Sequence, residues 1–326
     1  MLRIPRTLGA AVFLIVLLYF LASGTLRPDS HVNRLIHGAS GVLSFTTPPI
    51  LKPSLIGTPS LLYPQPGKQT YPRAIKLRSG ILLASFTVYD PENAIQLAVS
   101  LDQGVSWAPH GIVLSKPASE ATPLDNGFLF ELPSGRILCA FRAHTKAPEA
   151  LNAEEKPGGQ NEGYLYFRLM IYHSDDDGKT WKYLSTPTQE PGTANGNWEP
   201  FLRLSNSGNL QFFYSRELGG GRDQDNLMRV SHDQGVTWSD AKIVTGKDLV
   251  TRDGMIGIQE VVPGTGHLMA IFETVEEKGD GTVFEARFEV WSVTSRDDGN
   301  TWGERRLIYD SWFGDAGAPN SLSTYL

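Results

Sequence analysis

From about residue 60 onward the chain alternates short apolar runs with polar turns, and no stretch there sustains a 3.6-residue apolar period. Residues 71–86, YPRAIKLRSGILLASF, are two apolar runs joined at Ser79-Gly80, the pattern of a β-hairpin. The form returns at 126–141 (NGFLFELPSGRILCAF), at 199–214 (EPFLRLSNSGNLQFFY) and more loosely at 257–272 (GIQEVVPGTGHLMAIF). A third apolar run follows each hairpin, ending at Ser100, Ser174, Ser231 and Ser295. Each of these runs enters the same eight-residue motif. The copies are SLDQGVSW (100–107), SDDDGKTW (174–181), SHDQGVTW (231–238) and SRDDGNTW (295–302), with consensus S-x-D-x-G-x-[ST]-W.

The motif has the chemistry of a tight turn. Its aspartate can accept hydrogen bonds from turn N–H groups, and its glycine takes a positive φ without steric cost. Its tryptophan then opens the next strand and buries a flat ring against a neighbouring layer. Asp102, Asp176, Asp233 and Asp297 are therefore expected to be structural, since every unit needs the same residue. The tryptophans lie 74, 57 and 64 residues apart, so each unit holds four short strands. That is one blade of an all-β propeller.

Composition narrows the partners. The chain has 33 Gly and 21 Pro, 20% charged residues and a net charge of −6, which describes a mildly acidic globular protein. It carries no basic stripe, so nucleic acid is not an expected partner. Cys139, the lone cysteine, stands in an apolar run and reads as a small buried hydrophobe. None of the seven histidines is spaced as part of a metal set, so neither a metal nor a cofactor is expected.

The N-terminus differs. Arg3 and Arg6 precede an apolar run over residues 8–23, followed by Gly24 and Arg27. Residues 1–24 read as a secretory signal peptide or as a retained signal anchor holding the protein to a membrane through residues 8–23. Either sends the domain into the secretory pathway, secreted or membrane-anchored. Residues 25–60, rich in Ser, Pro, Thr and Gly, would form a stem or strap before the propeller at 61–326.

The four signature turns resemble the Asp boxes of sialidase-like propellers. The phrases around them are similar to one branch of that clan, the fungal exo-α-L-arabinanases of glycoside hydrolase family 93. Those phrases are Tyr71-Pro-Arg-Ala74, Asn197-Trp-Glu-Pro-Phe201, Gly254-Met255 and Ala316-Gly-Ala-Pro319. The resemblance implies a six-bladed propeller and retaining hydrolysis of terminal sugars, with arabinobiose released from 1,5-α-L-arabinan by two glutamates. A retaining glycosidase needs two carboxyl groups about 5–5.5 Å apart. Glu199 stands at the start of the third hairpin, where the other repeats carry no acid, and the Trp-Glu-Pro context carries the nucleophile role onto it. The following Pro200 is expected to press Glu199 toward an extended backbone. Glu273 ends the fourth hairpin, where Thr87, Arg142 and Ser215 stand in the others, and is assigned acid/base. Arg73, Arg142, Trp198, Tyr214, Arg222 and Asp225 lie on first strands, near second-strand ends or in the loop after them. They are candidates to bind sugar hydroxyls and ring faces of an oligo- or polysaccharide.

Two other functions fit a propeller of this kind. A sialidase would hold its substrate carboxylate with three arginines, of which Arg73 could be one, though the Arg-x-Pro order is not found at Tyr71-Pro72-Arg73. A non-catalytic binding propeller would need no carboxyl pair. Finally, 266 residues from residue 61 give about four blades at this period, and the closing stretch 316–326 reads like the first strand of a fifth. Six blades would need roughly another hundred residues, so the expectation is a chain truncated at its C-terminus, or one whose ring a partner completes.

Overall fold

The computed structural model describes residues 61–309 apart from 65–66, 90, 118, 121, 148–162, 193–195, 219–222 and 276–287. The N-terminal apolar run, the stem at 25–60, Arg222 and the phrase at 316–319 lie outside the described residues. Everything described is strand, turn or irregular chain, and among these residues no helix is long and apolar enough to cross a membrane.

Four antiparallel sheets follow one another along the chain. The first joins β1 (Gln69–Lys76), β2 (Leu82–Val88), β3 (Glu92–Ser100) and β4 (Ala108–Pro117) in that order. The second joins β5 (Leu124–Glu131), β6 (Ile137–Ala143), β8 (Tyr164–Ser174) and β9 (Lys182–Pro191), with the two-residue β7 (Thr145–Lys146) also paired to β8. The third runs through β10 (Gly196–Leu204), β11 (Leu210–Glu217), β12 (Gln224–Ser231) and β13 (Lys242–Thr245). The fourth runs through β14 (Gly254–Val262), β15 (His267–Thr274), β16 (Glu289–Ser295) and β17 (Gly303–Tyr309). These are the four blades that the repeat spacing predicts, and the first strands of successive blades adjoin one another.

Burial follows position within a blade. The second strands of the two middle blades are covered on both faces by neighbouring blades, so β6 and β11 are buried almost without break, while β15 alternates and outermost β17 is mostly exposed. Three apolar seams hold the blades together. The first packs Leu83 and Leu97 against Leu129 and Phe141, the second packs Leu138 and Ile171 against Phe212 and Tyr214, and the third packs Phe213 and Met228 against Ile256 and Phe272. The motif tryptophan of the later blade closes each seam, as Trp181, Trp238 and Trp302 in turn. Cys139 is fully buried in the first seam, and burial pushes its thiol pKa up.

The motif aspartates behave as the turn chemistry requires. Asp176 Oδ1 accepts from Ser174 Oγ at 2.7 Å and from the Thr180 N–H at 2.9 Å, and Oδ2 accepts from Thr180 Oγ1 at 2.6 Å. Asp102, Asp233 and Asp297 repeat this set with their own Ser and Ser or Thr partners. These bonds favour the charged form and hold Asp102 and Asp233 at about 2. The turn is tighter than the sequence implies. Besides the glycine, the residue before it is left-handed in every copy: Gln103, Asp177, Gln234 and Asp298, at φ 59–60°.

A second irregularity recurs in the first strand of each blade. The ladder slips between Thr70 and Arg73, Asp125 and Phe128, Trp198 and Phe201, and Gly254 and Gly257. Each slip is a β-bulge opened by a left-handed residue: Tyr71 (φ 53°), Asn126 (φ 55°), Glu199 (φ 46°) and Met255 (φ 51°). Two expectations are corrected here. Glu199 is not extended; the bulge outweighs the steric push of Pro200 and turns the residue out of the ladder. The fourth hairpin also aligns two residues earlier than the sequence suggests, on Met255 rather than Gly257. Its turn at Thr265-Gly266 is longer, with a further slip between Glu260 and Val262, and this displaced the match.

Candidate functional site

The bulged first strands together line a cavity of about 330 Å³. Its wall includes Arg73, Phe128, Glu199, Phe201, Met255 and Ile256, so all four blades contribute. A bulge re-aims the residue that opens it. In the third blade that residue is Glu199, half-buried in the cavity wall.

Glu199 meets the fourth blade directly. The backbone N–H of Met255 donates to Glu199 Oε2 at 3.3 Å. One residue earlier, Gly254 pairs with Glu273 across the β14–β15 ladder. A Cβ built on Gly254 would lie 3.5 Å from Glu199 Oε2 and 3.8 Å from Glu273 Oε1. The two carboxylate oxygens are therefore no farther apart than those two distances added, 7.3 Å. Glu273 itself lies just outside the cavity wall that Glu199 joins.

Electrostatics separates the two acids. Burial of Glu273, with the nearby charge of Glu199, pushes its carboxyl up to about 7, while Arg252 pulls in the opposite direction. A carboxyl tuned this way holds its proton near neutrality and can give or take it there. The pair thus brings a proton donor and a second carboxyl group to one point at the seam between adjacent blades.

The register confirms the equivalence on which Glu273 was singled out. Thr70 pairs with Thr87, Asp125 with Arg142, Trp198 with Ser215, and Gly254 with Glu273. Four blades thus present four different residues at one second-strand position, and only the fourth has an acid opposite a glycine.

The other candidates divide. Arg73 lines the cavity, and its Nη1 donates to the Asn126 carbonyl at 3.4 Å. Arg142 donates to Asp125 Oδ2 at 2.9 Å, and its guanidinium lies 4.8 Å from the Trp198 ring centre. Asp125 also accepts from Thr87 Oγ1 and the Tyr89 hydroxyl, at 2.7 and 2.6 Å. Trp198 is buried rather than open to a ligand: it packs with Phe167 and His144 and donates through Nε1 to Glu217 Oε2 at 2.9 Å. Tyr214 is corrected outright. It lies inside the second seam, its ring tilted against Phe212, because β11 is covered on both faces. Asp225 is corrected as well, being buried and paired with Arg216 at 3.0 Å on its own sheet. Burial raises its pKa.

Sequence reasoning missed the roles of four residues around the pair. Gly254 and Met255 were noticed as a phrase without a role. Gln224 Nε2, which donates to the Asp253 carbonyl at 2.8 Å, would stand 2.6 Å from a Cβ on Gly254. Arg252, whose charge acts on Glu273, also reaches Glu217 Oε1 at 3.6 Å. The departure of Gly254 from the other blades was the one available signal, and the misaligned fourth hairpin hid it. Among the described residues no group of three or more His, Cys, Asp or Glu could hold a metal ion.

Comparison with known proteins places the fold. No curated protein matches the chain. The solved α-L-arabinanase of Penicillium chrysogenum, complexed with arabinobiose, is 23% identical with a TM-score of 0.56, covering 74% of this chain and 66% of its own. The GH93 α-L-arabinofuranosidase of Fusarium graminearum, also with arabinobiose, is 20% identical at a TM-score of 0.55 with the same coverage. The NanB sialidase of Streptococcus pneumoniae is 14% identical at 0.53, covering 76% of this chain and 54% of its own. The chain thus spans 66% of the length of the arabinanase and arabinofuranosidase structures it matches. At these identities the likeness is one of fold, and that fold is the sialidase-type β-propeller. The BNR repeat-like domain family matches residues 84–320, most of the chain and all but the start of the blade region. This chain belongs to the BNR repeat-like domain family.

Proposed function

We propose that the protein is a retaining exo-glycosidase acting on arabinose-containing polysaccharide, with arabinobiose released from 1,5-α-L-arabinan. The observation that carries this reading is the meeting of Glu199 and Glu273 at Gly254, with Glu273 raised to about 7. Their oxygens lie within 7.3 Å, a limit that admits the roughly 5–5.5 Å separation of a retaining pair. The resemblance to arabinan-degrading propellers supports the substrate class.

In the first step Glu199 attacks the anomeric carbon and forms a glycosyl–oxygen bond. The glycosidic carbon–oxygen bond breaks, and Glu273 gives its proton to the departing oxygen. In the second step Glu273, now the carboxylate, takes a proton from water, whose oxygen attacks the same carbon and releases Glu199. Both protons and both bonds are accounted for, and anomeric configuration is retained.

The cavity wall supports this reading over a sialidase. Arg73 is the one arginine in the wall among the described residues, whereas a bound sialate carboxylate would require a cluster. Residues 1–24 would direct the enzyme into the secretory pathway, to be released or held at a membrane. The test is release of arabinobiose from linear arabinan, with the product anomer followed by proton NMR. Glu199→Gln and Glu273→Gln should each abolish release, and an unchanged rate in either variant removes that residue from the reaction.

A further inference from the structure

A second cavity, of about 320 Å³, lies where β9, the outermost strand of the second blade, meets the motif turn of the third. Its wall includes Tyr183, Thr186 and Pro187 from β9, Arg229 from β12, and Thr237 and Trp238 from the turn. No residue lines both this cavity and the one that holds Glu199. Arg229 breaks the repeat. Two residues before the motif serine the other blades carry Ala98, Tyr172 and Val293, each packed into an apolar cluster. The third blade carries a cation there. Its Nη1 donates to the Ser239 carbonyl at 2.8 Å. Among the described residues neither Nε nor Nη2 has a protein acceptor, and no carboxylate pairs with the guanidinium.

Nε and Nη2 lie along one edge of the planar guanidinium, the kind of fork that takes a carboxylate through two parallel bonds. No acidic side chain among the described residues lines the cavity to compete for it. The aspartate of the adjoining turn, Asp233, already accepts from Ser231, Val236 and Thr237. The rest of the wall suits a sugar. Tyr183 is exposed and offers a ring face, and its hydroxyl lies 3.1 Å from Thr186 Oγ1. Wall hydroxyls both donate and accept, which matches a ligand rich in hydroxyls of its own. Trp238 Nε1 donates to Ser185 Oγ at 3.1 Å, which fixes the indole on the far side. We propose that this cavity binds an acidic saccharide, a chain bearing uronic acid units, with a carboxylate on Arg229 and a sugar ring against Tyr183. The site is non-catalytic and stands apart from the reaction assigned to Glu199 and Glu273.

The probe is a trisaccharide of galacturonic acid, titrated into the intact chain by isothermal calorimetry beside its methyl ester and neutral arabinotriose. The acid should bind more tightly than either comparison and weaken as salt is added. Arg229→Gln should lower its affinity about ten- to a hundredfold, the scale of hydrogen bonds to a charged group. Tyr183→Ala should lower it about two- to tenfold through the lost ring face. Glu199→Gln should leave it unchanged, because Glu199 lines the other cavity. Absence of binding, or undiminished binding in Arg229→Gln, would overturn the proposal. So would equal affinity for the methyl ester, since the charge would then not be read. The ester comparison uses unaltered protein, so a variant that fails to fold does not decide the matter. Hexaglutamate bound as tightly as the trisaccharide would overturn it as well, because the cavity would then read charge and not sugar.

Discussion

Met255 gives its backbone N–H to Glu199 Oε2 at 3.3 Å, across the seam between the third and fourth blades. Both residues open a bulge in the first strand of their own blade, so one irregularity serves twice. In the third blade it turns a carboxylate toward the seam. In the fourth it turns a backbone donor to receive it. A regular strand would bind that N–H into the ladder, so the contact exists because both strands break pattern at the same level.

Glu273 sets the first prediction. Its carboxyl lies at about 7 instead of 4.5, chiefly through burial. As the proton donor it should give kcat/KM an alkaline limb near pH 7, and Glu273→Gln should lose that limb with a roughly 10²–10⁴-fold fall in rate. Stability carries the same signature. The folded-state pKa is raised, so the folded protein holds a proton that the unfolded chain gives up. Stability is greatest below about 4.5 and falls as pH rises toward 7. Glu273→Gln has no such charge to bury and should exceed the wild type at pH 8 by up to about 3 kcal/mol in urea unfolding. Equal stabilities at pH 5 and pH 8 in the wild type would contradict the shift.

Coupling between the carboxyl groups gives the second. Glu199 raises Glu273, and Arg252 lowers it. Glu199→Gln should therefore bring the Glu273 titration down while leaving it above 4.5, because burial remains the largest cause. Arg252→Met should move it up. Carboxyl carbon-13 shifts of labelled glutamate across pH 4–9 would follow both variants, and shifts in the same direction would break the argument.

The architecture was legible because its signals repeat. Four copies of Ser-x-Asp-x-Gly gave the turn, the third strand and the blade count, and each aspartate makes the bonds its side chain suggested. The acid pair was visible for the opposite reason, as a departure from repetition at Glu199 and Glu273. What stayed hidden depends on backbone geometry that one sequence does not encode. A left-handed Glu199 before proline runs against local preference, and only packing between blades enforces it. Tyr214 was singled out as an aromatic near a second-strand end, while the two-sided cover of β11 makes its ring part of a seam.

Trp198 supplies the third prediction. Its buried indole, one residue before Glu199 on β10, packs with Phe167 and the Arg142 guanidinium and donates to Glu217. Trp198→Ala should cost roughly 3–5 kcal/mol of stability by emptying that space. Trp198→Phe keeps most of the ring and loses the bond, which should cost roughly 1–3 kcal/mol because Glu217 loses a donor. Each should lower kcat on arabinan more than it raises KM, since Trp198 anchors the strand at the bulge that Glu199 opens. Urea unfolding and steady-state kinetics on the same preparations would separate the effects. A Trp198→Phe protein with wild-type kcat would show that this anchor does not matter to Glu199.

The turn aspartates make the last prediction, on stability alone. Asp176 accepts from Ser174, from the Thr180 N–H and from the Thr180 hydroxyl, and touches none of the residues around Glu199 and Glu273. Asp176→Ala removes all three bonds and should lower Tm. Asp176→Asn keeps the shape and one acceptor and should lower it less, with turnover below the transition unchanged in both. The pH dependence follows from the lowered carboxyl pKa values of the four turns. Groups held at about 2, as Asp102 and Asp233 are, contribute stability that is fully present above about 3.8 and is lost as pH falls toward 2. The gap in Tm between wild type and Asp176→Ala should therefore hold from pH 5 to about 3.8 and narrow below that in thermal scans down to pH 2. A constant gap over that range would mean that the turn is held by its backbone conformation and not by the charge of its aspartate.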